Sequence, residues 1–206
     1  TADYSSEDTS LEVKSTMKNG ASIRLGLVNG IRFYTKVDTA KIAELKADGA
    51  TVEMGTLIAP KDLLGNDELT FNLDAGKYVD VAYKANEYYT EGNFTGIVGS
   101  IVNIKESNTA FSAENGNIAR EFVGRGYVKV TKDGTTTITY ADYSDSNIAN
   151  NSRSVAYVSY KLVQDTEIFN QYSKDIQEKV EKWAGLYQNL MVNRGGILKW
   201  NLKKSN

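Results

Sequence analysis

The chain has 206 residues, with 24 basic and 26 acidic side chains, so its formal net charge is −2. This balance lacks the strongly basic composition typical of nucleic-acid-binding domains, and we expect no nucleic-acid partner. The sequence contains no histidine and no cysteine, which excludes Ser-His-Asp and Cys-His catalysis and zinc sites built from those ligands. Carboxylates, Lys, Tyr, Ser and Arg remain for catalysis, but the sequence places no glycosidase-like pair among its 26 carboxylates, and we expect no catalytic residues and no enzymatic activity.

Composition also bears on the compartment in which the protein works. A chain without cysteine is common among exported proteins of bacteria that do not use disulfides, although it also arises by chance in the cytosol. Enrichment in Tyr, Thr, Asn and Gly favours an extracellular or cell-surface location. No apolar run approaches the ~20 residues of a membrane span. The polar start at Thr1–Ser10 lacks a signal-peptide core, and we interpret the chain as a mature fragment or an excised piece because it opens without Met.

The first third of the chain predicts strands joined by turns. Residues 1–18 form a polar lead-in, with a first strand at Leu11–Lys14. The runs Ala21–Leu25 and Ile31–Val37 flank Asn29-Gly30, which predicts a hairpin with a type I′ turn because both turn residues tolerate positive φ. Alternation in the second run places Ile31, Phe33, Thr35 and Val37 on one face, and Arg32, Tyr34 and Lys36 on the other.

A short helix is predicted next, at Thr39–Asp48, with Asp38 as its N-cap, Ile42 and Leu45 on its buried stripe and Gly49 as its stop. Strand patterns follow, and the last two flank a hairpin turn at Asp133-Gly134. The predicted strands are 51–59, 77–84, 94–104, 120–130 and 135–140.

At about residue 151 the apolar period changes from two to 3.6, which predicts helices at 152–163 and 166–191, the first capped by Ser152 or Asn151. We expect an α+β fold of mainly antiparallel, sandwich-like β structure, with the short inserted helix and the two C-terminal helices packed on it. A single domain would span residues 19–192, its β region ending at about residue 150. Residues 193–206 form a basic tail.

Four segments carry a resemblance to a known kind of module. They are Gly20–Thr35, Gly55-Thr56-Leu57-Ile58-Ala59-Pro60, Arg120–Val128 and Arg153–Val158. Across residues 20–163 the chain resembles an accessory β-rich module of exported multimodular proteins of Gram-positive anaerobes, which are surface, glycan-active or cellulosomal proteins. The resemblance implies an extracellular module and supplies no catalytic motif.

Arginines are one candidate binding constellation, because the guanidinium fork suits carboxylate and phosphate ligands. We expect them to be structural instead, paired with Glu53, Glu121 and Asp80 or bound to backbone carbonyls, because structural ion pairs give the same pattern. The arginines concerned are Arg24, Arg32, Arg120, Arg125 and Arg153.

The loop Asp142–Asn147 offers alternating oxygen ligands but lacks the Gly and the distal Glu of an EF-hand. We expect a solvated turn there and no cofactor. Calcium near Asp142 and Asp145 is the alternative.

Tyrosines are the stronger candidates for a binding site. Exposed rings beside amide side chains are typical of sugar sites, where the ring meets C–H surface and the amide bonds hydroxyls. The alternative is that tyrosine fills half-buried strand positions. The candidate ligand-binding residues are Tyr88, Tyr89, Tyr34, Asn86 and Asn93.

The sequence favours a non-catalytic extracellular accessory module. Such a module would bind a polysaccharide or a cell-surface glycan, or it would serve as a rigid spacer beside neighbouring modules of the same polypeptide. The alternative is a protein-interaction or adhesion module that uses the C-terminal amphipathic helix. An exposed apolar stripe around Trp183 would favour that alternative, whereas a covered stripe would indicate a structural helix.

Overall fold

The computed structural model describes residues 9–26, 29–83, 89–102, 104, 116–142 and 152–193, and it confirms an α+β fold that is mainly antiparallel β. The described residues of Thr1–Ile104 and Arg120–Arg153 form one compact unit, and those of Lys105–Ala119 and Ser154–Asn206 form a second. The predicted basic tail at 193–206 lies outside the described residues beyond Asn193.

Within its described residues, the first unit contains two five-stranded antiparallel sheets and two short α-helices. The strands are β1 (Ser15–Met17), β2 (Ser22–Leu25), β3 (Asn29–Asp38), β4 (Thr51–Pro60), β5 (Val79–Ala82), β6 (Tyr89–Glu91), β7 (Phe94–Val102), β8 (Phe122–Lys132), β9 (Thr135–Tyr140) and β10 (Ser152–Arg153). The helices are α1 (Thr39–Ala47) and α2 (Lys61–Leu64). The first sheet has the order β1-β3-β7-β6, with β2 also paired to β3, and the second has the order β10-β8-β4-β5, with β9 also paired to β8.

Several local predictions are confirmed by the backbone. Asp38 caps α1 by accepting hydrogen bonds from the backbone N–H groups of Ala40 and Lys41, and Gly49 follows the helix with a φ of +82°. The β8–β9 hairpin turns at Asp133 and Gly134, with φ values of +49° and +79°. These are the positive angles that a type I′ turn requires.

The predicted turn at Asn29-Gly30 is wrong, although β2 and β3 do pair as a hairpin. Asn29 and Gly30 belong to β3, where they lie opposite Leu25 and Arg24. Gly30 is needed there for close approach, because a Cβ on it would lie 2.3 Å from the carbonyl oxygen of Ile101 in the adjacent β7. A glycine that looks like a turn residue locally is thus required by strand pairing.

The two sheets face each other and interlock at glycines. Phe33 of the first sheet lies against Gly124 of the second, where an added Cβ would be 2.4 Å from the ring. Thr35 packs on Gly126 in the same way, and Thr56 of the second sheet packs on Gly99 of the first. Side chains of one sheet therefore fill gaps that glycines leave in the other, which brings the backbones close together.

A common apolar core continues beyond these contacts. Residues of both sheets and of α1 contribute to it, together with Leu11 and Val13 from the predicted polar lead-in. The strand expected at Leu11–Lys14 is replaced by a 3₁₀ turn at Thr9–Leu11 and by β1. The outward face of the second sheet has its own cluster, where residues from α2 and the segment that follows it cover Leu57 and Tyr127.

The second unit contains helices α3 (Val155–Gln164), α4 (Thr166–Phe169) and α5 (Lys174–Asn193). The cap of α3 is Ser154, whose Oγ accepts a hydrogen bond from the backbone N–H of Tyr157. The predicted cap at Ser152 is wrong, because Ser152 lies in β10. The alternative cap, Asn151, lies outside the described residues.

The predicted helix at 166–191 is interrupted between Phe169 and Lys174. The side-chain amide of Gln177 donates to the carbonyls of Phe169 and Tyr172, which satisfies backbone groups that a continuous helix would pair internally.

The apolar stripe of α5 is covered at its centre. Val180 is fully buried and Trp183 is 1% exposed. Helix α3 packs against α5, with the rings of Tyr157 and Tyr160 each 5.1 Å from that of Tyr187. The burial indicates a structural role for this face. None of the described helices is long and apolar enough to cross a membrane.

We predict that Gly124→Ala lowers the free energy of unfolding by about 2 kcal/mol, because its Cβ would overlap the Phe33 ring and force the sheets apart. Urea unfolding measures the change. Gly76→Ala is the matched control, since nothing lies within 4 Å of a Cβ there, and its effect should stay within about 0.5 kcal/mol. Equal effects of the two variants would contradict the interlocking contact.

Candidate functional site

The first sheet has an unusual edge, because β1 and β2 share the same side of β3. Strand β1 pairs with residues 35–37 of β3, and β2 pairs with residues 29–32. The chain between them, residues 18–21, leaves the ladder and passes Gly20 with a φ of +81°. Beside this detour, the backbone N–H of Lys18 donates to the carbonyl of Tyr34 at 2.9 Å. The result is an opening next to the middle of β3.

That opening is a groove of about 670 Å³. We call it the β3 groove. Its floor comes from the outward side of β3 and β7, and one wall comes from β1 and the detour that follows it. The lining residues are Thr16, Met17, Lys18, Asn19, Gly20, Ala21, Ser22, Arg32, Phe33, Tyr34, Lys36 and Val98.

Aromatic rings and a cation follow the groove toward the β6–β7 turn. The ammonium of Lys36 lies 5.9 Å from the centre of the Tyr34 ring and 5.7 Å from that of the Phe94 ring. Both distances are within the range of cation–π attraction. Tyr34 is half-buried, whereas Phe94 is 46% exposed. The row Tyr34–Lys36–Phe94 therefore offers apolar ring surface beside positive charge.

The charges of the β3 groove have one sign. Lys18, Arg32 and Lys36 line it, and its described lining includes no carboxylate. Nη2 of Arg32 donates to the carbonyl of Ile23 at 3.2 Å, and Nε has no hydrogen-bond acceptor among the described residues. In the part of the chain that the structure describes, neither Lys18 nor Arg32 has a carboxylate at ion-pairing distance.

The predicted site residues fall at different distances from this groove. Tyr34 lines it. Asn93 is exposed in the β6–β7 turn next to Phe94, and its carbonyl accepts a hydrogen bond from the backbone N–H of Thr39. Tyr89 lies in β6 opposite Gly96, which in turn lies opposite Lys36 on β3. Tyr88 and Asn86 lie outside the described residues.

Sequence reasoning missed Phe94, Lys36 and Lys18 as members of a site. The alternation of β3 already places Lys36 on the same face as Tyr34. Phe94 joins them only through the β3–β7 register, in which it lies opposite Asp38. Lys18 depends on the detour between β1 and β2; Asn19-Gly20 is a local turn signal there, but the pairing of both strands with one edge of β3 is long-range.

Arg120 and Arg125 make structural contacts, as expected, although the carboxylate that Arg120 binds is not one of those predicted. Arg120 binds the carboxylate of Asp62 through Nε at 2.8 Å and Nη2 at 2.7 Å. This bidentate pair lowers the pKa of Asp62, chiefly through its hydrogen bonds. The predicted partners instead contact other groups: Glu53 binds Lys129, and Glu121 lies 3.9 Å from Lys61. Asp80 accepts a hydrogen bond from the Tyr127 hydroxyl.

Arg125 is the most buried of these arginines, at 8% exposure. Its guanidinium donates to the carbonyls of Ala141 and Leu69 and lies 4.7 Å from the centre of the Tyr140 ring. The hydroxyl of Tyr140 accepts from the backbone N–H of Phe71, and burial raises the pKa of that hydroxyl. These contacts hold the covering segment on the second sheet.

The described residues do not support the alternative of a calcium site near Asp142 and Asp145. Asp142 is exposed, and Asp145 lies outside the described residues. Across the part of the chain that is described, no three acidic side chains come close enough together to hold a metal ion.

Comparisons of this chain with protein-family models, with curated proteins and with solved structures found no match. The accessory-module resemblance therefore stays a prediction.

The Arg120–Asp62 pair predicts a pH dependence. Because the folded pKa of Asp62 lies below the ordinary pKa of an aspartate, its contribution to stability is present above that ordinary pKa and is lost as the pH falls through the folded pKa. Asp62→Asn should lower the urea midpoint at about pH 7, with the difference from the parent protein shrinking toward about pH 3.

Arg120→Gln is the companion variant, because it removes the named cause of the shift. Arg120→Gln should reduce the change in urea midpoint between neutral and acid pH. Adding Asp62→Asn to Arg120→Gln should then change the urea midpoint little. If Asp62→Asn lowers the urea midpoint by the same amount at neutral and at acid pH, the pair with Arg120 does not lower the pKa of Asp62.

Proposed function

We propose that the chain is a non-catalytic extracellular accessory module that binds glycan in the β3 groove. The observation that carries the proposal is the row Tyr34–Lys36–Phe94 along an open groove. Ring faces pack on the C–H surface of sugars, and flanking cations and amides bond hydroxyls. The Tyr-rich, cysteine-free composition supports an exported protein.

Binding is favoured over hydrolysis by the chemistry of the same groove. Glycoside hydrolysis requires two carboxylates about 5–10 Å apart, one to protonate the leaving oxygen and one to act as nucleophile or base. The described lining of the β3 groove contributes cations, hydroxyls and rings instead. Such a surface holds a sugar polymer without supplying acid–base chemistry.

Other candidate surfaces of the molecule fit a ligand less well. A smaller hollow of about 260 Å³ beside α1 is lined by charged side chains that pair with one another, Lys41 with Glu44 and Lys132 with Asp48. The helix-mediated interaction module is also less favoured, because Val180 and Trp183 are buried. The spacer role is what remains if no glycan binds.

We predict that Tyr34→Ala and Phe94→Ala each weaken glycan binding about fivefold, since each removes one ring face. Affinity electrophoresis against a panel of soluble plant and bacterial polysaccharides, with pull-down on insoluble ones, measures the effect. Leu63→Ala is the matched control, because Leu63 and Phe94 are both 46% exposed, but Phe94 lies beside the groove residue Lys36 whereas Leu63 lies in α2. Retention that is equal in all three variants would contradict the site, and no retention of the parent protein on any polymer would contradict glycan binding itself.

A further inference from the structure

We propose that the ligand of the β3 groove is an acidic polysaccharide, one whose sugar units carry carboxylates. This inference rests on the proposed glycan binding and adds the charge class of the ligand. Lys18, Arg32 and Lys36 line the groove together, although the whole chain carries a net charge of −2. Clustered charges of one sign repel each other and attract counter-charges, so their concentration in one groove points to an anionic ligand.

A fourth cation lies next to the groove wall. The Nε atom of Arg153 lies 3.3 Å from the position that a Cβ of Gly20 would occupy, so its guanidinium packs on the detour between β1 and β2. Nη1 of Arg153 donates to the carbonyl of Ser152, which fixes this end of the side chain. The fold therefore holds the Arg153 side chain against this wall.

Several cations of the described surface are paired with carboxylates, whereas Lys18 and Arg32 are not so paired in the β3 groove. Away from it, Arg120 is paired bidentately with Asp62, and Lys129 lies 3.1 Å from Glu53. The guanidinium of Arg32 donates instead to the backbone carbonyl of Ile23, and it has no carboxylate at ion-pairing distance among the described residues. A ligand carboxylate would supply the missing counter-charge and accept hydrogen bonds from guanidinium or ammonium groups.

A carboxylated sugar fits this groove better than a phosphate polymer does. Nucleic-acid binding depends on many phosphate contacts and on a basic surface extending well beyond one groove. Here the overall charge is negative and the described basic lining consists of three side chains. The neighbouring rings of Tyr34 and Phe94 suit the C–H faces of sugar units, and each unit of an acidic polysaccharide brings one carboxylate.

The test uses the full chain and pairs of polymers that differ only in charge. Polygalacturonate is compared with highly methyl-esterified pectin, in which the same carboxylates are capped. We expect affinity electrophoresis to show at least about tenfold tighter binding of polygalacturonate, and we expect the difference to collapse between about 50 mM and about 500 mM NaCl, where screening is strong. Equal binding of both polymers would overturn the charge inference and leave glycan binding intact.

Two lysine variants locate the charge effect. Lys18→Gln should weaken polygalacturonate binding about threefold and leave binding of the esterified polymer unchanged. Lys14→Gln removes the same charge from an exposed lysine that is not in the groove lining, and it should bind like the parent protein. Equal losses of polygalacturonate affinity in both variants would overturn the groove as the binding site.

Two further outcomes concern the class of ligand. Tighter binding of single-stranded oligothymidylate than of polygalacturonate would overturn the inference that the ligand is a sugar polymer. Failure of every polysaccharide to bind would overturn the proposed function as well.

Discussion

The architecture of the first unit depends on the close approach of its two sheets at glycine positions. Phe33 and Thr35 project into gaps left by Gly124 and Gly126, and Thr56 projects into the gap at Gly99. Facing sheets ordinarily pack about 10 Å apart because side chains from both layers share the space between them. At these positions only one layer supplies the side chain, so the contacts fix how β3 and β7 of the first sheet lie against β4 and β8 of the second.

The outward faces of the two sheets differ, because that of the second sheet is covered by chain and that of the first sheet is partly exposed. On the second sheet, Leu57 and Tyr127 are covered by the segment that begins with α2, and the buried Arg125 donates a hydrogen bond to the carbonyl of Leu69 in that segment. On the first sheet, the residues that alternate with the inward set are Arg32, Tyr34 and Lys36, and they remain partly exposed in the β3 groove. The same alternation that builds the core therefore delivers a row of rings and cations to the opposite face.

The sequence predicts those features that short stretches of chain determine. The two faces of β3, the Asp38 cap of α1 and the Asp133-Gly134 turn all follow from neighbouring residues. The misplaced turn at Asn29-Gly30 has a tertiary cause, because Gly30 is required by its contact with Ile101.

The candidate site was predictable only in part, because strand pairings distant in sequence bring some of its residues together. Tyr34 follows from alternation, whereas Phe94 enters through the register between β3 and β7. Lys18 enters because β1 and β2 share one edge of β3. Both are pairings between segments distant in sequence, and no local pattern of residues encodes them.

The most direct test of the account is an NMR titration of the isotope-labelled chain with short oligogalacturonides. Amide chemical shifts report which backbone segments contact the ligand. The account predicts saturable shifts concentrated on residues 18–21 and 32–36, with smaller ones near Phe94 at the start of β7. Shifts confined to the helices of the second unit, or to the outward face of the second sheet, would contradict it.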